Sequence, residues 1–512
     1  MRVCFVFFIA FALSIAAKPG AGSQAEQAQQ PDIPARLETF LEISSELRDR
    51  LRVPGLGIGL IVDHRPVYVG GLGLRNVERS LPFDGATHFG ICSNTKAMTG
   101  FVVSTLVAEG KLNWREPIKT YLPELSLTDA YVEKHVTLAD ACSHMTGLAR
   151  KDELWKDAGL SRDEVFRQTS ELPFEFSLRE QFSYNNHMFV LVGAVIECVT
   201  GKSWEANIQE KVFLPLGMSD SSATHTAFRN RLSFCLGYEL DGESALSTPR
   251  LDCVGPAGSI VTTPEDFMRW LEFWVRRGEV GGKRIASVEN FSEYERPSSA
   301  SMVSKEEFKS YWAGWGLKLM DGEVEYRHSG GIDGLSSIIR SRPSDGFGIF
   351  VMTNSNTDLK DLLADYADQI FNGNGFMRSK EREENLVLTC DMRLFASKLI
   401  NGGIEAAESV RSSCEFSKLE ADLNAFGYQL LNGSEMDKAL YVFKLNTEEH
   451  PQSANAWDSL GECFYRMNVR SEAMLAYGRC LELNPSQESA QRMLSRIRKN
   501  LPFSESPGGD QN

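Results

Sequence analysis

The chain of 512 residues has room for about two to four domains, at roughly 100–200 residues for each. Its composition, with 42% hydrophobic and 24% charged side chains, is that of an ordinary soluble globular protein. The formal net charge of −15 repels polyanions, and no cluster of lysines and arginines offsets it, so a nucleic acid is disfavoured as a partner.

The first residues have the layout of a secretory signal peptide. Arg2 precedes an apolar run from Val3 to Ala17, and small residues follow up to Ser23. Because a spanning helix needs about 20 apolar residues, this run is too short to cross a bilayer comfortably, and no later segment qualifies. We predict a signal peptide over residues 1–23 and an exported protein, periplasmic or secreted, with an uncleaved N-terminal anchor as the alternative.

The next predicted elements are a linker, two helices and a hairpin. Residues 24–35 are rich in Gln, Ala and Pro, which is typical of a flexible linker. Apolar residues at helical spacing predict a helix from Arg36 to Leu51. Two β-like runs, Gly55–Val62 and Pro66–Leu72, flank a short polar turn and predict a hairpin. A second helix is predicted over Thr95–Glu109.

The remainder of this region changes from helical to strand-like patterns. Residues 137–282 are predicted to form mostly helices and loops. The later segments are predicted strands at Gly314–Leu319, Val324–His328, Leu335–Ser341 and Gly346–Thr353, and a helix at Asp358–Phe371. Strands at both ends with helices between them predict one α/β (α+β) domain over residues 36–372, whose sheet is completed by distant segments.

A 34-residue period follows a predicted linker at residues 373–386, which contains Gly, Asn and a run of charges. The tetratricopeptide pattern W-x2-L-G-x2-Y…A-x3-F…P is matched in two registers. The matching residues are Leu423, Phe426, Gly427, Leu430, Ala439, Phe443 and Pro451, then Trp457, Leu460, Gly461, Phe464, Ala473, Tyr477 and Pro485. We predict an all-α tetratricopeptide domain over residues 387–501, with repeats at about 420–453 and 454–487, and a disordered tail over 502–512. An unrelated helical bundle is the alternative.

A Ser-x-x-Lys pair at Ser93 and Lys96 is the first motif that suggests chemistry. On a helix, residues three apart share a face, so the lysine amine is predicted to lie beside the serine hydroxyl. A serine hydroxyl is a weak nucleophile until a base takes its proton, and a lysine serves as that base only when burial or nearby positive charge lowers its pKa. Such pairs also arise by chance on solvated helices, so the motif alone is a weak signal.

Two further short motifs follow along the chain. Tyr184 and Asn186 form a Tyr-x-Asn, in which a phenol near lysines is driven toward phenolate and shuttles protons, while the amide holds the lysine and contacts substrate. His328, Ser329 and Gly330 follow an apparent strand, whose edge can offer a backbone N–H to a developing oxyanion. Taken singly, a buried tyrosine, a capping asparagine and a strand histidine explain these motifs equally well.

The order Ser-x-x-Lys, Tyr-x-Asn, His-x-Gly resembles the serine β-lactamase-related family, which includes class C β-lactamases, D-alanyl-D-alanine carboxypeptidases, esterases and D-aminopeptidases. Flanking segments that are similar to the family are Val53-Pro54-Gly55, His144-Met145-Thr146-Gly147-Leu148, Pro215-Leu216-Gly217-Met218, Ala257–Thr263 and Phe350–Asn354. The resemblance covers roughly residues 36–372. It implies a β-lactamase/transpeptidase-like fold, an antiparallel sheet flanked by helices plus an all-helical subdomain.

The resemblance implies roles for the first two motifs. Ser93 is the nucleophile that becomes acylated, and Lys96 accepts its proton. Tyr184 relays protons to the leaving group and later activates water. Asn186 positions the substrate and the lysine.

The third motif is expected to bind substrate. His328 replaces the lysine of the more usual Lys-Thr-Gly and is expected to supply a weaker, pH-dependent charge. Ser329 and Gly330 are expected to contact substrate, and the backbone N–H groups of Ser93 and Gly331 are expected to form the oxyanion hole. The resemblance implies no metal and no organic cofactor.

These expectations describe an exported serine hydrolase whose substrate is a D-amino-acid peptide, a β-lactam-like compound or a small ester. Because His-Ser-Gly is more similar to the carboxypeptidase and esterase branches, we expect less efficient antibiotic hydrolysis than in class C β-lactamases. One alternative is a scaffold whose tetratricopeptide groove binds a protein or peptide partner, unless the repeats only cap the hydrolase domain. Another is a penicillin sensor that acylates quickly and deacylates slowly.

Overall fold

The computed structural model describes residues 32–501, except for residues 157, 228–230, 248–249, 288–289, 292–293, 295–300, 304–307, 321–322, 374–375 and 500. The predicted signal peptide, most of the first linker and the predicted tail lie outside the described residues. Helix α1 covers Ile33–Arg50, so the linker predicted to reach residue 35 ends earlier. The Asp32 carboxylate caps this helix by accepting a hydrogen bond from the Ala35 N–H at 3.2 Å.

A nine-stranded antiparallel sheet forms the centre of the first domain, with the strand order β3-β2-β1-β13-β12-β11-β10-β9-β8. In chain order the strands are β1 (Gly55–Val62), β2 (Arg65–Asn76), β3 (Leu81–Pro82), β4 (Phe89–Gly90), β5 (Val261–Thr262), β6 (Glu279–Val280), β7 (Lys283–Arg284), β8 (Ser301–Val303), β9 (Phe308–Trp312), β10 (Trp315–Met320), β11 (Glu323–Ile332), β12 (Leu335–Arg342) and β13 (Phe347–Thr353). Strands β4 and β5 form a separate two-stranded ribbon, as do β6 and β7.

Segments from the two ends of the domain meet at the middle of the sheet. Strand β1 pairs with β2 on one side and with β13 on the other, where Leu56 lies opposite Thr353. All residues of β1 and β13 are buried. Asp63 and His64 connect β1 to β2 with φ angles of 49° and 60°, the left-handed values of a tight hairpin turn. The predicted hairpin and the predicted completion of the sheet by distant segments are confirmed.

Helices cover both faces of the sheet, as predicted. Alternate residues of β13 face opposite layers. Val351 packs with α1 and with α12 (Leu359–Asn372), whereas Phe350 packs with α2 (Thr95–Ala108) and α11 (Pro264–Val275). The other helices of this domain are α2 (Thr95–Ala108), α3 (Ile118–Tyr121), α4 (Ala130–His135), α5 (Leu138–Cys142), α6 (Arg162–Thr169), α7 (Asn186–Thr200), α8 (Trp204–Ile208), α9 (Leu214–Leu216), α10 (Gly255–Gly258), α11 (Pro264–Val275) and α12 (Leu359–Asn372).

Two strands at the sheet edge were not predicted. After the mostly helical residues 137–282, the sequence indicates strands only from Gly314 onward, but β8 and β9 precede that position. Strand β9 pairs with β10, with Tyr311 opposite Gly316. The polar residues Lys309 and Ser310 interrupt the apolar pattern on which the prediction depended. A strand of an antiparallel sheet tolerates such residues, since it needs only one buried face.

The chain after the first domain soon enters a helix that contacts this domain. The second half of the linker predicted at residues 373–386 is therefore wrong. Helix α13 covers Lys380–Arg411, with a break at Gly403, where φ is 79°. Glu383 near its start is 2% exposed and accepts hydrogen bonds from Arg50 and Arg378. The charges that suggested a solvated linker are therefore paired across the boundary.

The C-terminal region is all helical. The helices after α13 are α14 (Glu420–Asn432), α15 (Met436–Glu449), α16 (Ala454–Arg466), α17 (Arg470–Leu483) and α18 (Glu488–Arg498). Gly427 and Gly461 make equivalent contacts, because a Cβ on either would lie within 2.6–2.8 Å of the ring of Phe443 or Tyr477. The all-α domain is confirmed, and its assignment to the tetratricopeptide family stays a prediction. Within the described part of the chain, no helix has both the length and the apolar character needed to span a bilayer.

Candidate active site

Ser93 lies in a 3₁₀ turn, Cys92–Asn94, that leads directly into α2. Lys96 is on the first turn of that helix, and its Nζ is 3.1 Å from Ser93 Oγ. The same Nζ donates a hydrogen bond to the carbonyl oxygen of Ala257 at 2.8 Å. The structure therefore brings the predicted nucleophile and the predicted base together, one helical turn apart.

Neighbouring elements hold this turn in an unusual conformation. Cys92 has a φ of 51°, a left-handed value that costs a residue other than glycine about 1–3 kcal/mol. Asn94 Nδ2 donates to Ser337 Oγ on β12 at 2.8 Å, and the Ile91 N–H donates to the Ile260 carbonyl at 3.0 Å. These contacts compensate for the strain and fix the position of Ser93.

Lys96 is fully buried, which makes its amine a base. Burial is the largest cause that lowers the pKa of this amine well below its usual value. The charge of Asp152 raises the pKa again, and the charge of Arg150 lowers it. The net shift favours the neutral amine, whose lone pair can accept the proton of the Ser93 hydroxyl.

Tyr184 is the third member of this group. Lys96 Nζ lies 4.8 Å from the centre of its ring. Burial raises the pKa of the phenol, while Ser93 and Arg150 lower it by smaller amounts. The prediction that the phenol is driven toward phenolate is therefore wrong for the resting site, where Tyr184 is a proton donor.

Asn186 is the first residue of α7, but its amide does not hold the lysine. Its Nδ2 donates to Asp152 Oδ1 at 2.9 Å. Among the described residues, the hydrogen-bond partners of Lys96 are Ser93 and Ala257. The predicted contact between Asn186 and Lys96 is wrong because Asp152 takes the amide instead.

His328 does not supply the predicted pH-dependent charge. The side chain is 8% exposed, and burial, followed by the nearby Lys96, lowers its pKa to about 3. Its Nδ1 is 2.7 Å from the Ser329 carbonyl oxygen, and its Nε2 is 2.8 Å from the Tyr311 hydroxyl. Since a carbonyl oxygen only accepts, Nδ1 carries the proton and Tyr311 donates to Nε2. The ring is neutral near pH 7, so the prediction of a cation at this position is wrong.

Strand β11 places the predicted Ser329, Gly330 and Gly331 beside the turn that carries Ser93. A Cβ on Gly330 would lie 2.2 Å from the Ile91 carbonyl oxygen, so this position requires glycine. The nearest neighbour of a Cβ on Gly331 would be the Leu335 carbonyl oxygen at 4.0 Å, and both Ser329 and Gly331 are exposed. Substrate contact by Ser329 and Gly330 and an oxyanion bond from the Gly331 N–H remain predictions.

Three further side chains at this site were not predicted from the sequence. Tyr311 has no sequence signal, because its strand was not predicted. His144 was noted only for its resemblance, yet its ring centre is 4.3 Å from that of Tyr184 and its Nδ1 accepts the Asn185 N–H at 3.1 Å. Arg150, two residues after the same segment, has its guanidinium carbon 5.3 Å from the centre of the Tyr184 ring.

A pocket of about 400 Å³ opens beside Tyr184 and His328, a volume that suits a small-molecule group or one side chain of a peptide. Its lining combines aromatic rings, strand backbone and two cations. The lining residues are Phe182, Tyr184, Ser310, Tyr311, Gly316, Leu317, Lys318, Arg327, His328 and Ser329.

Residues 40–370 match the family described as Beta-lactamase. Protein flp from Staphylococcus aureus is 25% identical over 328 residues, which are 62% of this chain and 64% of that protein. Unguisins hydrolase ungD' from Aspergillus campestris is 26% identical over 340 residues, which are 62% of this chain and 61% of that protein. The chain thus spans less than two thirds of the length of either relative.

Two solved structures share the fold of the first domain. The octameric penicillin-binding protein homologue from Pyrococcus abyssi has a TM-score of 0.57 and 25% identity, covering 71% of this chain and 82% of that one. D-alanine carboxypeptidase AmpC from Burkholderia cenocepacia has a TM-score of 0.54 and 19% identity, covering 66% of this chain and 99% of that one. At this identity the second match shows the fold alone.

Proposed function

The chain belongs to the beta-lactamase family, and on this premise we propose that it is an exported serine hydrolase that cleaves an ester, amide or peptide bond through an acyl intermediate on Ser93. One observation carries the proposal: the buried amine of Lys96 lies 3.1 Å from the Ser93 hydroxyl. A neutral amine at hydrogen-bond distance from an alcohol is the arrangement that activates a serine nucleophile.

Acylation begins when the Lys96 amine takes the proton of the Ser93 hydroxyl. The freed oxygen attacks the substrate carbonyl carbon and forms a tetrahedral oxyanion. The backbone N–H groups of Ser93 and Gly331 are the proposed donors to this oxyanion, and the positive end of the α2 dipole favours negative charge at the same place.

Breakdown of the tetrahedral intermediate needs a proton for the leaving group. The Tyr184 phenol donates it, and the Lys96 ammonium then returns the proton of Ser93 to the phenolate, so the net transfer is from Ser93 to the leaving group. Deacylation runs the same steps in reverse with water. The Tyr184 phenol passes its proton to Lys96 and takes a proton from the attacking water. Lys96 then donates its proton to the Ser93 oxygen as this oxygen leaves the acyl group.

The neutral pair of His328 and Tyr311 supports the proposal that esters or D-amino-acid peptides are better substrates than β-lactams. The positive charge expected where the usual Lys-Thr-Gly lysine would stand is absent from His328, whose pKa burial lowers to about 3. The name of one similar protein, unguisins hydrolase, supports hydrolysis as the class of reaction.

The direct test compares initial rates on p-nitrophenyl acetate, D-alanine p-nitroanilide, D-Ala-D-Ala peptides and nitrocefin. We expect turnover of at least one ester or D-amino-acid substrate, slower nitrocefin hydrolysis, and loss of all turnover in Ser93→Ala. Ser45→Ala is the matched control, since Ser45 lies on α1 at the other face of the sheet and should leave the rates unchanged. Turnover that survives in Ser93→Ala refutes the proposal.

For the C-terminal helices we propose that they brace the hydrolase domain. Arg52, between α1 and β1, contacts Asp391 of α13 at 2.5 Å, and Asp391 is 2% exposed. Lys398 of the same helix forms an ion pair with Asp241 at 2.7 Å. These ion pairs join the C-terminal helices to the hydrolase domain, one of them through the buried Asp391. They therefore favour a bracing role rather than recruitment of a partner by a groove.

Arg52→Met tests the bracing role, because it leaves the Asp391 carboxylate buried without its cation. We expect the free energy of unfolding to fall by about 3 kcal/mol. Arg65→Met, which changes an exposed arginine on β2, is the control. Equal stability of the two variants contradicts the bracing role and leaves partner binding as the function of the helices.

A further inference from the structure

Proton donation by Tyr184 leaves a negative charge in a buried place, and a nearby positive charge is needed to stabilise it. The sequence predicts that charge at His328, but the ring there is neutral. Lys96 carries a charge only while it holds the proton of Ser93. The other cation beside Tyr184 is the guanidinium of Arg150.

Arg150 is held in place over the phenol ring. Its guanidinium carbon lies 5.3 Å from the centre of the Tyr184 ring, and its Nε donates to Asp152 Oδ2 at 2.7 Å. Asp152 Oδ1 accepts hydrogen bonds from Asn186 Nδ2 at 2.9 Å and from Trp155 Nε1 at 3.1 Å. The Asn186 amide, which the sequence assigns to the lysine, therefore anchors the acid that anchors the guanidinium.

Titratable groups from five parts of the fold face Tyr184. The Ser93 turn contributes Cys92 and α2 contributes Lys96. The segment after α5 contributes His144, Arg150 and Asp152, while β9 contributes Tyr311 and β11 contributes His328. Burial raises the pKa of Cys92 to about 12 and the pKa of Tyr311 well above its usual value, so both are neutral. Burial also lowers the pKa of His144 well below its usual value. Among the described groups of this set, Arg150 and Asp152 form an ion pair.

An exposed ion pair between Arg150 and Asp152 would by itself contribute little, since such pairs are worth about 0–1 kcal/mol. Two features separate this pair from an ordinary surface pair. Asp152 is fixed by Asn186 and Trp155, so the position of the cation is set from inside the protein. The cation also lies against the ring of the proposed proton donor, where a cation favours the deprotonated form.

We propose that Arg150 is a positioning residue of this site: its guanidinium acts through the Tyr184 ring to stabilise the phenolate during leaving-group protonation, and its charge adds to the burial that favours the neutral form of Lys96. The inference rests on the proposed serine hydrolase function. The charge predicted at position 328 is thus supplied from the loop after α5.

The experiment measures kcat and kcat/KM against pH for the full chain with ethyl butyrate, an uncharged ester that offers Arg150 no anion to bind and whose ethoxide leaving group needs a proton. Removal of the cation should raise the pH at which Lys96 loses its proton and the pH at which Tyr184 does. For Arg150→Met we expect kcat to fall about tenfold, KM to stay constant, and both limbs of the profile to move about one pH unit upward. Arg150→Lys, which keeps the charge, should recover most of both effects.

Lys151→Met is the matched control, because Lys151 is the next cation in the same loop and pairs with Glu153 instead. Three results would each overturn the inference. They are pH limbs that do not move in Arg150→Met, equal impairment of Arg150→Met and Arg150→Lys, and a raised KM at constant kcat in Arg150→Met. If Arg150→Met melts early, Arg150→Gln replaces it under the same expectations. Failure of the proposed function has a different signature, which is turnover that persists in Ser93→Ala.

Discussion

The neutral state of Lys96 predicts a measurable pH dependence of stability. In the folded protein burial lowers the pKa of this amine well below 10.5, whereas in the unfolded chain the amine is exposed and returns to about 10.4. Between these two values unfolding takes up one proton at Lys96. The free energy of unfolding therefore increases as the pH rises toward the pKa of the amine in the unfolded chain, by about 1.4 kcal/mol per pH unit.

Lys96→Met removes this proton uptake and keeps the length of the side chain. Going from pH 8 to pH 9, the free energy of unfolding of the native protein should rise by about 1.4 kcal/mol relative to the variant. The difference between the two pH values is the diagnostic quantity, because the variant also loses the hydrogen bonds of Nζ to Ser93 and Ala257, which changes its stability by the same amount at both.

The assay is urea unfolding followed by tryptophan fluorescence, which reports mainly the hydrolase domain because only Trp457 of the 8 tryptophans lies beyond it. Lys111→Met, at an exposed lysine that pairs with Glu109, is the control and should behave as the native protein. If Lys96→Met shows the native dependence on pH, the amine is charged in the folded state and the reasoning that makes it a base is refuted.

Three further predictions concern the strands around the site. Because burial lowers the pKa of His328 to about 3 from 6.5, only the unfolded state binds a proton at this residue between these two pH values. The native protein should therefore lose stability between pH 8 and pH 5, and His328→Asn should lose about 2 kcal/mol less than the native protein does in urea titrations. Tyr311→Phe leaves His328 Nε2 without its donor and should cost about 1–3 kcal/mol by the same assay, a result that an unchanged midpoint would contradict. Gly330→Ala should lower both stability and ester turnover, since its Cβ would lie 2.2 Å from a carbonyl oxygen, whereas Gly331→Ala should fold normally; equal effects would show that β11 does not pack on the Ser93 turn as described.

The parts of the fold that are local in sequence were predictable. The i and i+3 spacing of Ser93 and Lys96 is enough to place the two side chains together, one turn apart at the start of α2. The continuous apolar runs at Gly55–Val62 and Phe347–Thr353 indicate fully buried strands at the centre of the sheet, and both strands are buried along their whole length.

The parts that failed depend on burial or on partners far along the chain. The charge state of His328 is set by tertiary burial, which its neighbours Arg327 and Ser329 do not reveal. Asn186 bonds Asp152 across 34 positions, a pairing without a sequence pattern. The charge run near Lys380 resembles a linker until its partners on α1 are known, because only they show that Glu383 is buried.

The most direct test of the account is the chemical identity of the acylated residue. The full chain is incubated with a fluorophosphonate or with p-nitrophenyl acetate, digested, and the modified residue is located by mass spectrometry. We predict a single adduct on Ser93 and labelling at least about 100-fold slower in Lys96→Met. An adduct on another residue, or undiminished labelling of Lys96→Met, would contradict the claim that a buried neutral lysine activates Ser93.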